Sequence, residues 1–261
     1  MDRIASLDDP RIAAYRNLRD RTLRGESIFV AEGRPLVERL LDSPYEAESV
    51  FVSDEHAESL AGRTGSAPLY VAAESVLRAV VGFPFHLGVL AVGRRRPLPS
   101  LEELLAGRDR SGRLRILVLP EVTKPENLGL ALRSAAAFGL EAVLLGERTC
   151  DPFSRRALRL SMGCVFRVPL SRSSDIAADV RNLGEQFNCH RFAAVLDPAA
   201  EPLDGVCWPS RAAVVLGNET EGIRDRWLQL CDRRVTIPMQ AGVDSLNLGV
   251  ATGIFLHAMR R

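Results

Sequence analysis

Short apolar runs alternate with amphipathic stretches along the whole chain. Residues 28–31, 49–53, 69–72 and 87–92 read as strands, and the patterns near 35–41, 55–61 and 74–80 read as helices between them. Such alternation predicts an α/β fold, a parallel or mixed sheet covered by helices. Gly93-Arg-Arg-Arg-Pro-Leu-Pro-Ser100 is dense in charge and proline and reads as a linker. After a helical stretch at 101–106, a second series begins. Strands are predicted at 116–119, 142–145, 164–168, 192–196, 213–216 and 234–237, and helices at 128–138, 152–160, 174–187, 224–230 and 246–259. Continuous apolar runs such as Ala213-Val-Val-Leu216 suit strands buried on both faces.

Three polar segments interrupt this second series where a strand gives way to a helix. The first follows the strand at 116–119. Glu121-Val-Thr-Lys-Pro-Glu126 is a loop, and Asn127 is a natural N-cap for the helix after it. Gly129 costs helix stability, up to roughly 1 kcal/mol relative to alanine, unless a ligand or another backbone comes close. Arg133 lies beside the apolar stripe of Leu128, Leu132 and Ala135. In the second segment, the strand ending at Leu216 empties into Gly217-Asn-Glu-Thr-Glu-Gly222, where glycine lets backbone groups approach a flat ligand. In the third, Pro238 stops a strand and Met239-Gln-Ala-Gly-Val243 forms a loop. Asp244 or Ser245 then caps a helix whose first turn holds Asn247.

Composition narrows the choice of partner. Formal net charge is +1, so no global basic field marks a nucleic-acid binder. The distribution says more. Five arginines (Arg11, Arg16, Arg19, Arg21, Arg24) face one acid, Asp20, and Arg94-Arg95-Arg96 forms a second cluster. Lys124 is the only lysine. Five cysteines without a C-x-x-C pair fit reduced thiols in a cytoplasmic protein better than disulfides or zinc. The four histidines show no metal-ligand spacing, the chain starts without an apolar signal core, and no apolar run approaches the roughly 18 residues that span a bilayer. A dinucleotide or P-loop enzyme is disfavoured, because neither G-x-G-x-x-G nor G-x-x-x-x-G-K-S/T is present.

The three segments together resemble the motifs of the SpoU-type, TrmH-like RNA ribose 2′-O-methyltransferases of the SPOUT superfamily. Asn127 to Ala135 is similar to the family's first motif, Gly217 to Gly222 to its second, and Ile237-Pro-Met239 with Ser245-Leu-Asn247 to its third. Ser161-Met-Gly163 resembles a stretch between them. Phe29-Val-Ala-Glu-Gly33 and Leu87-Gly-Val89 are more weakly similar to the L30e-like RNA-binding domain often placed in front. Lys124 departs from the family, which frequently has Asp there.

The resemblance implies a SPOUT α/β trefoil-knot domain over residues 113–261, preceded by a smaller L30e-like α/β domain (1–95) and a linker (96–112). It implies S-adenosylmethionine as cofactor, held by Leu216, Gly217, Asn218, Ile237, Met239 and Leu246. It implies Arg133 as the central catalytic residue, with Glu219 pinning it and Asn127, Ser245 and Asn247 orienting ribose or arginine. RNA is the implied partner, ribosomal RNA ahead of transfer RNA, and Arg11, Arg16, Arg19, Arg21, Arg24 and Arg34 are the candidate phosphate contacts. A homodimer through the knot domain is implied as well. A non-catalytic RNA-binding knot protein is the alternative, and the intact Asn127, Arg133, Glu219 and Asn247 argue against it.

Overall fold

The computed structural model describes residues 1–18, 27–83, 85–109 and 111–260. In chain order the strands are β1 (Asp2–Arg3), β2 (Ile28–Glu32), β3 (Ala47–Ser53), β4 (Leu69–Ala72), β5 (Val89–Arg94), β6 (Leu114–Leu119), β7 (Ala142–Leu145), β8 (Leu170–Arg172), β9 (His190–Ala194), β10 (Glu201–Pro202), β11 (Arg211–Leu216) and β12 (Arg233–Thr236). The helices are α1 (Arg34–Leu41), α2 (Asp54–Leu60), α3 (Glu74–Val81), α4 (Leu101–Leu105), α5 (Pro125–Ala137), α6 (Arg155–Leu160), α7 (Ile176–Glu185), α8 (Asp225–Leu228) and α9 (Leu248–Met259). The chain divides into two units, Met1–Pro97 with Phe153–Phe166, and Leu98–Pro152 with Arg167–Arg261.

The first unit is a mixed five-stranded sheet in the order β1-β4-β3-β5-β2. Its core gathers Ile12, Tyr15, Leu18, Phe51, Leu77 and Leu90, and the Tyr15 hydroxyl donates to the Ser49 carbonyl at 2.9 Å. A second aromatic cluster joins Phe29 and Tyr45 to Phe153 and Phe166, so the returning segment Phe153–Phe166 packs within this unit although it lies inside the stretch read as the knot domain. Gly93 was expected to open the linker but belongs to β5. It pairs with Phe29 on β2, whose ring lies 2.3 Å from where a Cβ would stand, so only glycine fits the strand there. Residues 164–168 were expected to form a strand. Cys164–Phe166 is instead a 3-10 turn following the left-handed Met162 and Gly163, and its Val165 and Phe166 are buried; the strand comes later, as β8.

The second unit is a seven-stranded sheet in the order β10-β12-β9-β11-β6-β7-β8, parallel throughout. Its strands are buried from end to end where the sheet is central, as in β6 and β11. The apolar runs therefore place two covered faces around Ile116, Val118, Ala213 and Val215. Helices α5 and α9 pack against each other, and Gly249 meets Leu130 closely: a Cβ there would lie 2.6 Å from the leucine Cβ. Gly129, expected to mark a close contact, is buried in α5 one residue before it. Among the described residues no helix is long and apolar enough to cross a membrane.

Candidate active site

The carboxyl ends of β9, β11 and β12 deliver three loops to one place. Together they line a cavity of about 520 Å³. This is where an open parallel sheet puts its ligands, because the loops leaving the strands diverge there and leave a crevice. Leu216, Gly217, Asn218, Ile237, Met239 and Leu246, the six residues expected to hold a cofactor, all line it. So do Asn127, Glu219, Ser245 and Asn247. Ala194 to Leu196 at the end of β9 and Ala251 and Phe255 on α9 complete the wall. No polar motif drew attention to these; the only signal for Leu196 was its place at the end of an apolar strand.

The loop after β11 closes tightly on itself. Asn218 and Gly222 exchange backbone hydrogen bonds of 2.8 and 2.9 Å. A Cβ on Gly217 would lie 2.2 Å from the Gly222 carbonyl, so the position excludes any side chain. The Asn218 amide turns the loop inward. Its Oδ1 accepts from the backbone N–H of Thr220 at 2.8 Å, and its Nδ2 donates to the Glu121 carbonyl at 2.9 Å.

Contrary to the expectation that Glu219 pins Arg133, the two do not pair. The Glu219 carboxylate accepts from the backbone N–H of Lys124 (2.9 Å) and of Thr123 (3.2 Å), from the Thr123 hydroxyl (3.1 Å) and from the Asn127 amide (3.1 Å). Burial alone would raise this carboxyl, but the Lys124, Glu219 and Thr123 backbone N–H groups and the Asn127 side chain outweigh it and hold it below the ordinary carboxylate range. Asn127 likewise is not the cap of its helix. Pro125 starts α5 two residues earlier, with the φ a first turn requires, and Asn127 is buried within that turn. Its Oδ1 accepts from Asn247 Nδ2 at 2.8 Å. Asn247 in turn caps α9, accepting from the N–H groups of Gly249 and Val250, in place of the expected Asp244 or Ser245. One chain of side-chain hydrogen bonds, Glu219 to Asn127 to Asn247, thus joins all three segments.

Arg133 lies elsewhere. It is exposed, its side chain makes no hydrogen bond or ion pair to a described residue, and it lines a shallow groove with Leu130, Ser134, Gly249, Val250 and Ile254 between α5 and α9. Lys124 sits at the cavity rim. Of the expected phosphate contacts, Arg19, Arg21 and Arg24 lie outside the described residues. Arg11 is bound to Asp9, whose carboxyl the Arg11 side-chain hydrogen bond lowers to about 2; Arg16 donates to the Asp9 carbonyl, and Arg34 pairs with Glu38 at 2.9 Å.

A buried parallel sheet with a glycine-shaped, loop-lined cavity at its carboxyl edge defines an α/β protein built to hold a nucleotide-like ligand. The comparisons with known proteins are specific. The SpoU rRNA Methylase family model matches residues 114–257. An uncharacterized tRNA/rRNA methyltransferase of Mycobacterium bovis is 34% identical over 97% of this chain and 90% of its own. The Bacillus subtilis 23S rRNA (guanosine(2553)-2′-O)-methyltransferase RlmP is 28% identical over 100% of both. The crystal structure of an AdoMet-bound rRNA methyltransferase from Sinorhizobium meliloti superposes with a TM-score of 0.82 at 25% identity, covering 99% of this chain and 97% of that one. The chain belongs to the SpoU rRNA methylase family, and its fold is that of the SPOUT methyltransferases.

Proposed function

We propose that this protein transfers a methyl group from S-adenosylmethionine to a ribose 2′-hydroxyl of ribosomal RNA. The observation that carries the reading is the cavity itself, built from three family motifs and tied together by Glu219, Asn127 and Asn247. Its residues fit the cofactor. Leu216, Ile237 and Leu246 offer apolar walls to a purine, and the glycine-shaped turn at Gly217 leaves backbone groups open to it. The bound cofactor supplies a methyl carbon activated by a sulfonium leaving group.

The chain's own contribution is position and charge. Orienting two reactants in line is worth roughly 7–11 kcal/mol. Arg133 is the cation for the reaction. A guanidinium stays protonated, so it stabilises the developing alkoxide or fixes the adjacent phosphate rather than accepting a proton. Because its face of α5 is apart from the cavity lining, we assign Arg133 to the site completed by a second copy across the α5/α9 groove. Val250 (49% exposed) and Ile254 (37%) give that groove the apolar surface a homodimer would cover. The front unit, with Arg11, Arg16 and Arg34, serves RNA binding in this reading.

The test is methyl transfer from tritiated S-adenosylmethionine to ribosomal RNA lacking the modification, with the ribose position mapped afterwards. Absence of label from ribose in every rRNA tested, with the cofactor shown to bind, would overturn the reading; label in transfer RNA would redirect it. Ile254→Asp should convert a dimer to monomers by light scattering and abolish transfer, leaving the cofactor cavity of each chain intact.

A further inference from the structure

Glu121 follows β6 at the carboxyl edge of the seven-stranded sheet and is buried, 4% exposed. Three guanidiniums converge on it. Arg226 binds Oε1, Arg148 Nη1 lies 3.7 Å from the same oxygen, and Arg224 Nε lies 3.4 Å from Oε2. The three arginine side chains are themselves 50, 65 and 36% exposed. Arg224 also holds Glu221, at 2.6 Å. A buried carboxylate is costly alone, and ion pairing offsets that cost only where the geometry is good and the remaining lone pairs are satisfied. Arg226 makes the close pair, whereas Arg224 and Arg148 stand 3.4 and 3.7 Å from the carboxylate, so the nearest donor of each is not drawn into a close hydrogen bond with Glu121.

Three guanidiniums bring about fifteen N–H donors to two carboxylates, far more than those oxygens accept. The donors left over face solvent, and the like charges repel one another until a further anion arrives. Planar guanidinium forks match phosphate oxygens in pairs. The location is equally particular. The Glu121 carbonyl accepts from Asn218, which lines the cofactor cavity, and Lys124 stands three residues on at the cavity rim.

We propose that Glu121 organises Arg148, Arg224 and Arg226 into a phosphate-binding cluster that seats the RNA strand beside the cofactor cavity. The proposal rests on the methyltransferase reading above. Glu121 is a positioning residue, too buried to meet RNA, and its charge holds the three guanidiniums at a spacing the phosphates fit.

Fluorescence anisotropy of a labelled RNA hairpin, read across a salt series with the full-length protein, tests it. Arg148→Ala, Arg224→Ala and Arg226→Ala should each weaken RNA binding about three- to tenfold and reduce the salt slope by about 1, as loss of one phosphate contact requires. Calorimetric affinity for S-adenosylmethionine should stay within about twofold of wild type, whereas Arg181→Ala, an exposed charge loss on α7, should leave RNA affinity near wild type. The decisive arm is Glu121→Gln. A merely basic surface would bind RNA more tightly once its acid is neutralised; a cluster held in place by Glu121 binds it more weakly. Wild-type affinity and salt slope in all three arginine variants, or tighter binding by Glu121→Gln, would overturn the proposal. If Glu121→Gln does not fold, the single arginine variants decide. A wild-type protein that fails to methylate RNA would sink the methyltransferase reading alone, because the arginine variants report on binding.

Discussion

The two faces of α5 are built on opposite principles. On one face Asn127 is buried and hydrogen-bonded to both Glu219 and Asn247, so motifs far apart in sequence are held rigid. Six residues on, about 9 Å along the axis and roughly 240° around it, Arg133 is exposed and bound to no described residue. The satisfied face shapes a cavity, while the other keeps a permanent charge available. A cation already pinned by Glu219 would have had its field spent at home. In the proposed reading, leaving it unpaired preserves the attraction for a group that arrives with substrate or with a second copy.

Arg133→Ala should have the largest effect. Methyl transfer should fall about 10²- to 10³-fold, as for loss of a charge-stabilising donor, with cofactor affinity unchanged by calorimetry. Equal loss of cofactor binding would place Arg133 in the cavity's own structure. Gly217→Ala attacks the opposite face. Its methyl would meet the Gly222 backbone at 2.2 Å, so the loop must open, and affinity for S-adenosylmethionine should drop at least about tenfold. Asn247→Ala removes the α9 cap and the partner of Asn127. It should cost about 0.5–2 kcal/mol and lower the melting temperature by a few degrees in a thermal scan.

The smallest effect is the acid dependence of Glu219. Its carboxyl is lower in the folded chain than the ordinary value of 4.5, so it stabilises the fold above that pH, and the contribution is lost as pH falls through the folded value. Glu219→Gln should be less stable than wild type at neutral pH and lack this part of the acid sensitivity. Parallel stability curves for the two proteins between about pH 6 and 3 would show that the carboxylate contributes nothing.

The residues that line the cavity were legible through the resemblance of three short segments to the family's motifs, whose glycines and prolines stand at fixed offsets and act locally. Ten of the eleven residues assigned to catalysis or cofactor binding line the cavity; Arg133 is the one that does not. Their partners were not legible. Asn127 reads as a cap from its neighbours alone, yet the acceptor for the N–H groups ahead of α5 is Glu219, 92 residues away from Asn127. Residues 164–168 read as a strand from their apolar content, but burial against the Phe29 cluster satisfies that content without a ladder. The Glu121 cluster gave no signal either, because Arg148 comes from one loop and Arg224 and Arg226 from the start of α8, both far from Glu121 in sequence.

The α/β alternation, the strand-end loops and the inventory of groups near the site follow from local sequence, since periodicity, turn chemistry and side-chain type are properties of neighbouring residues. Tertiary structure alone decided which groups meet: that Glu219 holds Asn127 and not Arg133, that Asn247 caps α9, and that three arginines share one buried acid. Hydrogen bonds and ion pairs form only where the parallel sheet brings distant loops within a few ångströms, and no local pattern encodes that distance.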